Sequence, residues 1–274
     1  MTEGGKRVRV PDLKEKKRRG EKIAVLTAYD AAMAHLLDRA GIDVLLVGDS
    51  LGMVVLGYET TIPVTLDAIV HHTSAVTRGA SRALVVADMP FLTYQVSVAE
   101  AVRNAGRLIQ EGGAAGVKIE GGEPVLDVAR RLVEIGIPVM GHLGLTPQSV
   151  HRFGGFRQQA RLERDAEKLI ADARALEQAG VFSIVLESIP AEVARAVTST
   201  LEIPTIGIGA GPHCDGQVLV SYDAFGLHDG PVPPFVKQYA RLGEQITAAA
   251  QAYAGEVRDG AFPAAEQAAR SSRR

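Results

Sequence analysis

Two kinds of apolar pattern alternate along the chain from residue 22 to about residue 257. Short runs that are apolar throughout and rich in β-branched residues are followed by longer segments whose apolar positions recur every three or four residues. The short runs predict strands at Ile23–Thr27, Val44–Val47, Leu84–Ala87, Val117–Glu120, Val139–His142, Ser183–Glu187, Thr205–Ile208 and Gln217–Ser221. Unbroken apolar runs are how strands covered on both faces read, and helices between them imply parallel pairing. The helical segments agree. Val98, Val102, Ala105, Leu108 and Ile109 form one stripe that ends at Gly112 and Gly113, and Leu162, Ala166, Leu169, Ile170, Ala173 and Leu176 form another. Eight such units predict an α/β fold, a (β/α)8 TIM-type barrel in a single domain over residues 21–262. Residues 1–20 read as a charged leading segment and 263–274 as a disordered polar tail. Residues 209–216 are too few for a crossover helix, so the barrel is expected to be irregular between the seventh and eighth strands. An open doubly wound sheet is the alternative that repeat counting leaves standing.

Composition narrows the partners more than the fold. Of 274 residues, 30 are basic and 32 acidic, so the balance makes no global electrostatic case for nucleic acid or an anionic membrane. A small-molecule partner remains. Cys214 is the only cysteine, which excludes an internal disulfide and suits a reducing, cytoplasmic setting. No apolar run approaches the ~18 residues needed to cross a bilayer, and a soluble protein is expected. The basic run Lys14, Lys16, Lys17, Arg18 and Arg19 reads as a solvated helix face more readily than as a polyanion site.

In a parallel barrel, catalytic groups stand at the C-terminal ends of the strands. Five consecutive predicted strands end in charge there, with Asp49 and Ser50, Asp88, Lys118 and Glu120, His142, and Glu187. Any one of them could simply cap a helix, but five together point to a site. Lys118 and Glu120, two apart in one strand, share a face that Val117 and Ile119 do not. Burial of these charges requires pairing, which a salt-bridge network could supply. Three carboxylates brought together also repel, and a hard divalent cation resolves that repulsion. Oxygen ligands suit Mg²⁺, whose open positions would fit the keto and carboxylate oxygens of a 2-oxo acid, with a lysine anchoring the carboxylate. Weaker signals are Gly207–Gly211, readable as a phosphate cradle or as a tight turn, and the long segment Leu143–Arg161, readable as a lid. His213, Cys214 and Asp215 lack the spacing of a metal site, and His71 and His72 fall in a helix.

The strings Val-Gly-Asp-Ser-Leu-Gly-Met at 47–53, Val-Lys-Ile-Glu-Gly-Gly at 117–122 and Gly-His-Leu-Gly-Leu-Thr-Pro-Gln-Ser-Val at 141–150 closely resemble the ketopantoate (3-methyl-2-oxobutanoate) hydroxymethyltransferase family. The resemblance runs on through Leu-Thr-Ala-Tyr-Asp at 26–30, Ala-Asp-Met-Pro-Phe at 87–91, Ile-Gly-Ile-Gly-Ala-Gly at 206–211 and Cys-Asp-Gly-Gln-Val-Leu-Val at 214–220. It implies a (β/α)8 barrel that adds the one-carbon unit of 5,10-methylenetetrahydrofolate to C3 of 3-methyl-2-oxobutanoate. The products would be 2-dehydropantoate and tetrahydrofolate, the first committed step toward pantothenate. It further implies that Asp49 and Asp88 hold Mg²⁺, with Glu120 in its sphere directly or through water. Asp49, Ser50, Asp88 and Lys118 would bind the 2-oxo acid, and Glu187 would accept the proton. His142 is the candidate for orienting one of the reacting groups. Members of the family often carry Cys where this chain has Ser188, a departure that bears on local packing. A homodecamer is implied by the resemblance alone.

Two other functions are compatible with the fold. Mg²⁺-dependent 2-oxo acid lyases and mutases resembling isocitrate lyase and phosphoenolpyruvate mutase share the barrel, but their Lys-Lys-Cys-Gly-His type of loop has no counterpart here. A non-catalytic barrel scaffold is possible on fold alone. Loss of activity should have eroded at least one charged strand end, and none is missing.

Overall fold

The computed structural model describes residues 6–228, 230 and 232–267. The chain divides into two compact units, Met1–Ser221 and Tyr222–Arg274. Of the tail expected to be disordered, 263–274, residues 263–267 are described and form a helical turn at Ala265–Gln267, and 268–274 lie outside the described residues.

In the first unit the strands are β1 (Ile23–Thr27), β2 (Val44–Val47), β3 (Leu84–Asp88), β4 (Gly116–Glu120), β5 (Val139–Gly144), β6 (Ser183–Glu187), β7 (Thr205–Ile208) and β8 (Gly216–Leu219). All pair in parallel in sequence order, and β1 pairs with β8, so the sheet closes into a barrel and the open-sheet alternative is excluded. The seam at β7 and β8 is short, with only Ile206↔Gly216 and Gly207↔Gln217 in register, and no helix separates the two strands. The irregularity expected from the spacing is therefore present, although the ring is complete.

Helices α1 (Val10–Arg18), α2 (Ala31–Arg39), α3 (Leu51–Val54), α4 (Leu66–Gly79), α5 (Val98–Gln110), α6 (Leu126–Glu134), α7 (Val150–Phe153), α8 (Glu163–Gln178) and α9 (Ala191–Thr200) belong to this unit. Local sequence starts several of them. The side chains of Asp30, Thr65 and Ser97 each accept a hydrogen bond from the backbone N–H three residues on, satisfying donors that a helix leaves open. In α8 the buried positions are Leu169, Ala173 and Leu176, as the periodicity predicts. Leu162 does not join them. It is the N-cap, ahead of the helical turn, and is 57% exposed. The basic run of α1 is not a wholly solvated face, since Lys14 pairs with Glu202, Lys16 with Asp43 and Lys17 with Asp215, the last two half-buried.

Inside the barrel a period of two divides the chemistry. Leu84 and Val86, Met140, and Val185 join Ile23, Val25, Val44, Leu46, Ile206 and Val218 in one apolar cluster, closed from below by Val8 and Leu13. Two residues further along the same strands, on the same face, stand Asp88, His142 and Glu187. The core thus ends upward in a charged layer. In the second unit, the helix Leu242–Arg258 buries none of its residues, and Tyr253 meets Phe262 edge to face at 5.4 Å. Among the described residues, no helix is long and apolar enough to cross a membrane.

Candidate functional site

The charged strand ends converge on one another. Asp88 Oδ2 accepts from the backbone N–H of Asp49 at 2.9 Å, which ties the ends of β2 and β3. Lys118 Nζ lies 2.9 Å from Asp88 Oδ1 and 3.6 Å from Glu120 Oε1, so its principal ion pair crosses to β3 and does not run along its own strand. His142 Nδ1 lies 3.1 Å from Lys118 Nζ and 3.2 Å from Glu120 Oε1. On its far side Nε2 is 3.2 Å from Glu187 Oε2. Ser50, at the head of α3, holds its Oγ 2.9 Å from the Tyr29 hydroxyl. Asp49, Asp88, Lys118, Glu120 and His142 are all buried, whereas the Glu187 side chain keeps 15% of its surface open. Gly144 makes the approach of β5 to β6 possible here. Its φ of 91° is left-handed, and a Cβ would lie 2.3 Å from the Glu187 carbonyl oxygen.

With all three buried carboxyls of this layer ionised, one ammonium and one imidazole leave negative charge in excess even with His142 protonated. Burial, then the charges of Asp88 and Glu120, push the Asp49 carboxyl well above the ordinary range. Burial also raises Asp88, against the pull of Lys118. Glu120 is drawn down in spite of burial, by Lys118 and His142. Burial and Lys118 oppose the charge on His142, but Glu120 and Glu187 outweigh them and carry the imidazole up to about 9. Lys118 stays charged, because its three acidic neighbours overcome its desolvation.

Asp88 Oδ1, Glu120 Oε1 and His142 Nε2 are buried without a well-aligned hydrogen bond, close as their charged neighbours are. The two carboxylate oxygens are acceptors that suit a hard cation, whereas the protonated Nε2 is a donor facing Glu187. Among the described residues no three Asp, Glu, His or Cys side chains are arranged to hold a metal ion on their own. Two buried carboxylates still suit Mg²⁺, which is bound through one or two carboxylates and completes its octahedron with water and substrate oxygens.

Charge at strand ends did not reveal Gln148 or Tyr94. Gln148, in the turn Pro147–Ser149, is buried and donates from Nε2 to Asp49 Oδ2 at 2.9 Å and from its backbone N–H to Glu120 Oε2 at 3.0 Å. Tyr94 accepts at its hydroxyl from the Glu120 N–H at 3.0 Å. The segment Leu143–Arg161 is accordingly not a plain loop. It opens as the end of β5, passes through that turn and α7, and ends α7 at Gly154 in a left-handed conformation. Elsewhere, Gly211 answers to packing, since a Cβ there would come 2.5 Å from that of Ala191. Asp215 is committed to Lys17 and to the Thr205 N–H, which leaves no metal cluster with His213 and Cys214.

Residues 7–265 match the family model described as ketopantoate hydroxymethyltransferase. A 3-methyl-2-oxobutanoate hydroxymethyltransferase of Moorella thermoacetica is 60% identical over 257 residues, covering 94% of this chain and 96% of the relative. One from Syntrophus aciditrophicus is 55% identical over 259 residues, covering 94% and 95%. Solved structures with the same fold include a 2,3-dimethylmalate lyase (TM-score 0.60, 18% identity, 95% and 91% covered). Another is a phosphonopyruvate hydrolase complexed with oxalate and Mg²⁺ (TM-score 0.61, 12% identity, 95% and 93% covered). The barrel is thus shared with the lyase and mutase superfamily, but at such identities the likeness extends to fold alone. Identity above one half over nine-tenths of the chain lies instead with the transferases, and every charged residue of the layer falls inside the matched span. The chain belongs to the ketopantoate hydroxymethyltransferase family.

Proposed function

We propose that the charged layer transfers the one-carbon unit of 5,10-methylenetetrahydrofolate to C3 of 3-methyl-2-oxobutanoate, giving 2-dehydropantoate and tetrahydrofolate, with Mg²⁺ as cofactor. The observation that carries this reading is the surplus of buried carboxylates beside a charged lysine, adjoining a more open carboxylate held by an imidazole. In it Asp49 and Asp88 hold the cation, with Glu120 in its sphere directly or through water. When bound, the cation supplies positive charge where the keto oxygen of the substrate gathers negative charge as C3 is deprotonated.

The chain's own groups do the rest. Lys118 offers its ammonium to the substrate carboxylate as a compact positive charge, and Ser50, beyond the end of β2, offers its hydroxyl to the same acid. Glu187 takes the C3 proton. His142 Nε2 stands 3.2 Å from one of its oxygens, Oε2. C3 then bonds to the methylene carbon, both bonds from that carbon to the two folate nitrogens break, and water supplies the hydroxyl oxygen of the product, the C3 proton and the second water proton ending on those nitrogens.

Incubation with both substrates and Mg²⁺ should convert 3-methyl-2-oxobutanoate into a product heavier by CH₂O in mass spectrometry, and no such product with folded protein refutes the reading. Asp88→Asn tests the cation separately. Loss of an outer-shell partner alone costs about 10–100-fold in metal affinity. The change at Asp88 should therefore weaken Mg²⁺ at least about tenfold, and the 2-oxo acid with it, while the fold survives. Unchanged Mg²⁺ affinity in a calorimetric titration would remove Asp88 from the ligand set.

A further inference from the structure

Gln148 uses the full hydrogen-bonding capacity of its side chain at the site. Nε2 donates to Asp49 Oδ2 at 2.9 Å and to the Met89 carbonyl at 3.0 Å, while Oε1 accepts from the Tyr94 hydroxyl at 2.8 Å and from Gln95 Nε2 at 3.2 Å. An amide has two donors and two lone pairs, and all four are taken. The orientation of the amide follows, because a flipped group would set an oxygen against the Met89 carbonyl and a nitrogen against Gln95 Nε2. The backbone N–H of the same residue donates to Glu120 Oε2 at 3.0 Å. One residue therefore holds two carboxylates that come from different strands and repel each other. Its amide is the side-chain partner of Asp49 among the described residues.

We infer that Gln148 is a positioning residue for cation binding, which fixes Asp49 through its amide and Glu120 through its backbone N–H. Tyr94 locks that amide, and the same hydroxyl meets the backbone N–H and carbonyl of Glu120. The residue type follows from the task. A lysine or arginine could donate the same hydrogen bond, but its charge would compete with the cation, and an apolar side chain would leave Asp49 free to swing away from Asp88 and Glu120. A neutral amide restrains the carboxylates and leaves their surplus charge in place. The inference rests on the cation reading of the site, and it adds a residue that acts through Asp49 and Glu120.

The test is calorimetric titration of Mg²⁺ into substrate-free protein, for the wild type, Gln148→Met and Tyr94→Phe, with kinetics at several Mg²⁺ concentrations. Gln148→Met keeps the volume and removes the donors, and should weaken Mg²⁺ about 10–100-fold. Tyr94→Phe should weaken it about two- to tenfold, the cost of one neutral hydrogen bond. For both variants kcat should recover as Mg²⁺ approaches saturation, with KM for the folate unchanged. If Gln148 merely staples its turn to the barrel, Mg²⁺ affinity will match the wild type while the melting temperature falls, or kcat will stay low at saturating Mg²⁺. Either result overturns the inference. Should Gln148→Met fail to fold, Tyr94→Phe decides by itself, and wild-type Mg²⁺ affinity in that variant is the overturning result. A wild type that takes up no Mg²⁺ or Mn²⁺ refutes the cation reading itself, and the role of Gln148 falls with it.

Discussion

Glu187→Gln should stop the exchange of the C3 hydrogen of 3-methyl-2-oxobutanoate with D₂O, or slow it at least ~10²-fold, the usual contribution of a positioned general base. Glutamine keeps the size of the side chain and can still meet His142 Nε2, which lies 3.2 Å from Glu187 Oε2. Only the basicity is lost. The variant should still bind Mg²⁺ and the 2-oxo acid, because Glu187 stands apart from Asp49 and Asp88, reaching the layer through His142. The isopropyl methine signal in proton NMR, followed with tetrahydrofolate present, should fade for the wild type and persist for the variant. A folded Glu187→Gln protein that exchanges at the wild-type rate would assign the proton to another group, with His142 the nearest candidate. In the wild type at neutral pH the imidazole is a poor alternative. Its acid dissociation is carried up to about 9, so the ring already holds the proton it would have to accept.

The parts of this protein that the sequence discloses are those fixed by burial and charge. Strands covered on both faces are written as unbroken apolar runs, which is why Val44–Val47 and Ser183–Glu187 can be read to the residue. The missing helix before β8 follows from chain length alone. The charged layer is legible because ionisable residues at five successive strand ends need a reason to be there. Gln148 and Tyr94 escape for the complementary reason. Neutral polar residues carry no charge signal, and their partners lie far off in sequence, Asp49 being 99 residues from Gln148 and Tyr94 being 54. The glutamine sits inside a string that identifies the family, but nothing in the string says which atoms it touches. Leu162 shows the opposite failure. A helical stripe extended one position too far includes a residue whose backbone has not yet entered the helix.

Lys118→Ala should raise KM for the 2-oxo acid about 10–100-fold, the loss of a hydrogen bond to a charged group, and leave KM for the folate nearly unchanged. The packing around this lysine adds a second consequence. Its ammonium is buried between Asp88 at 2.9 Å and Glu120 at 3.6 Å, and its removal strands their charges. Breaking a buried pair in this way costs about 3–5 kcal/mol, so the variant should melt well below the wild type without Mg²⁺. Two measurements tie that cost to charge. Without Lys118 the carboxyls that burial already opposes titrate higher than in the unfolded chain, so the folded state holds more protons and gains stability as pH falls. The deficit should therefore be larger at pH 8 than at pH 5. Added Mg²⁺ should also narrow it, because a divalent cation replaces the missing positive charge among the same carboxylates. Equal changes in KM for both substrates, in a variant whose melting recovers with Mg²⁺, would leave Lys118 as the counter-charge of Asp88 and Glu120 and give the substrate carboxylate another partner.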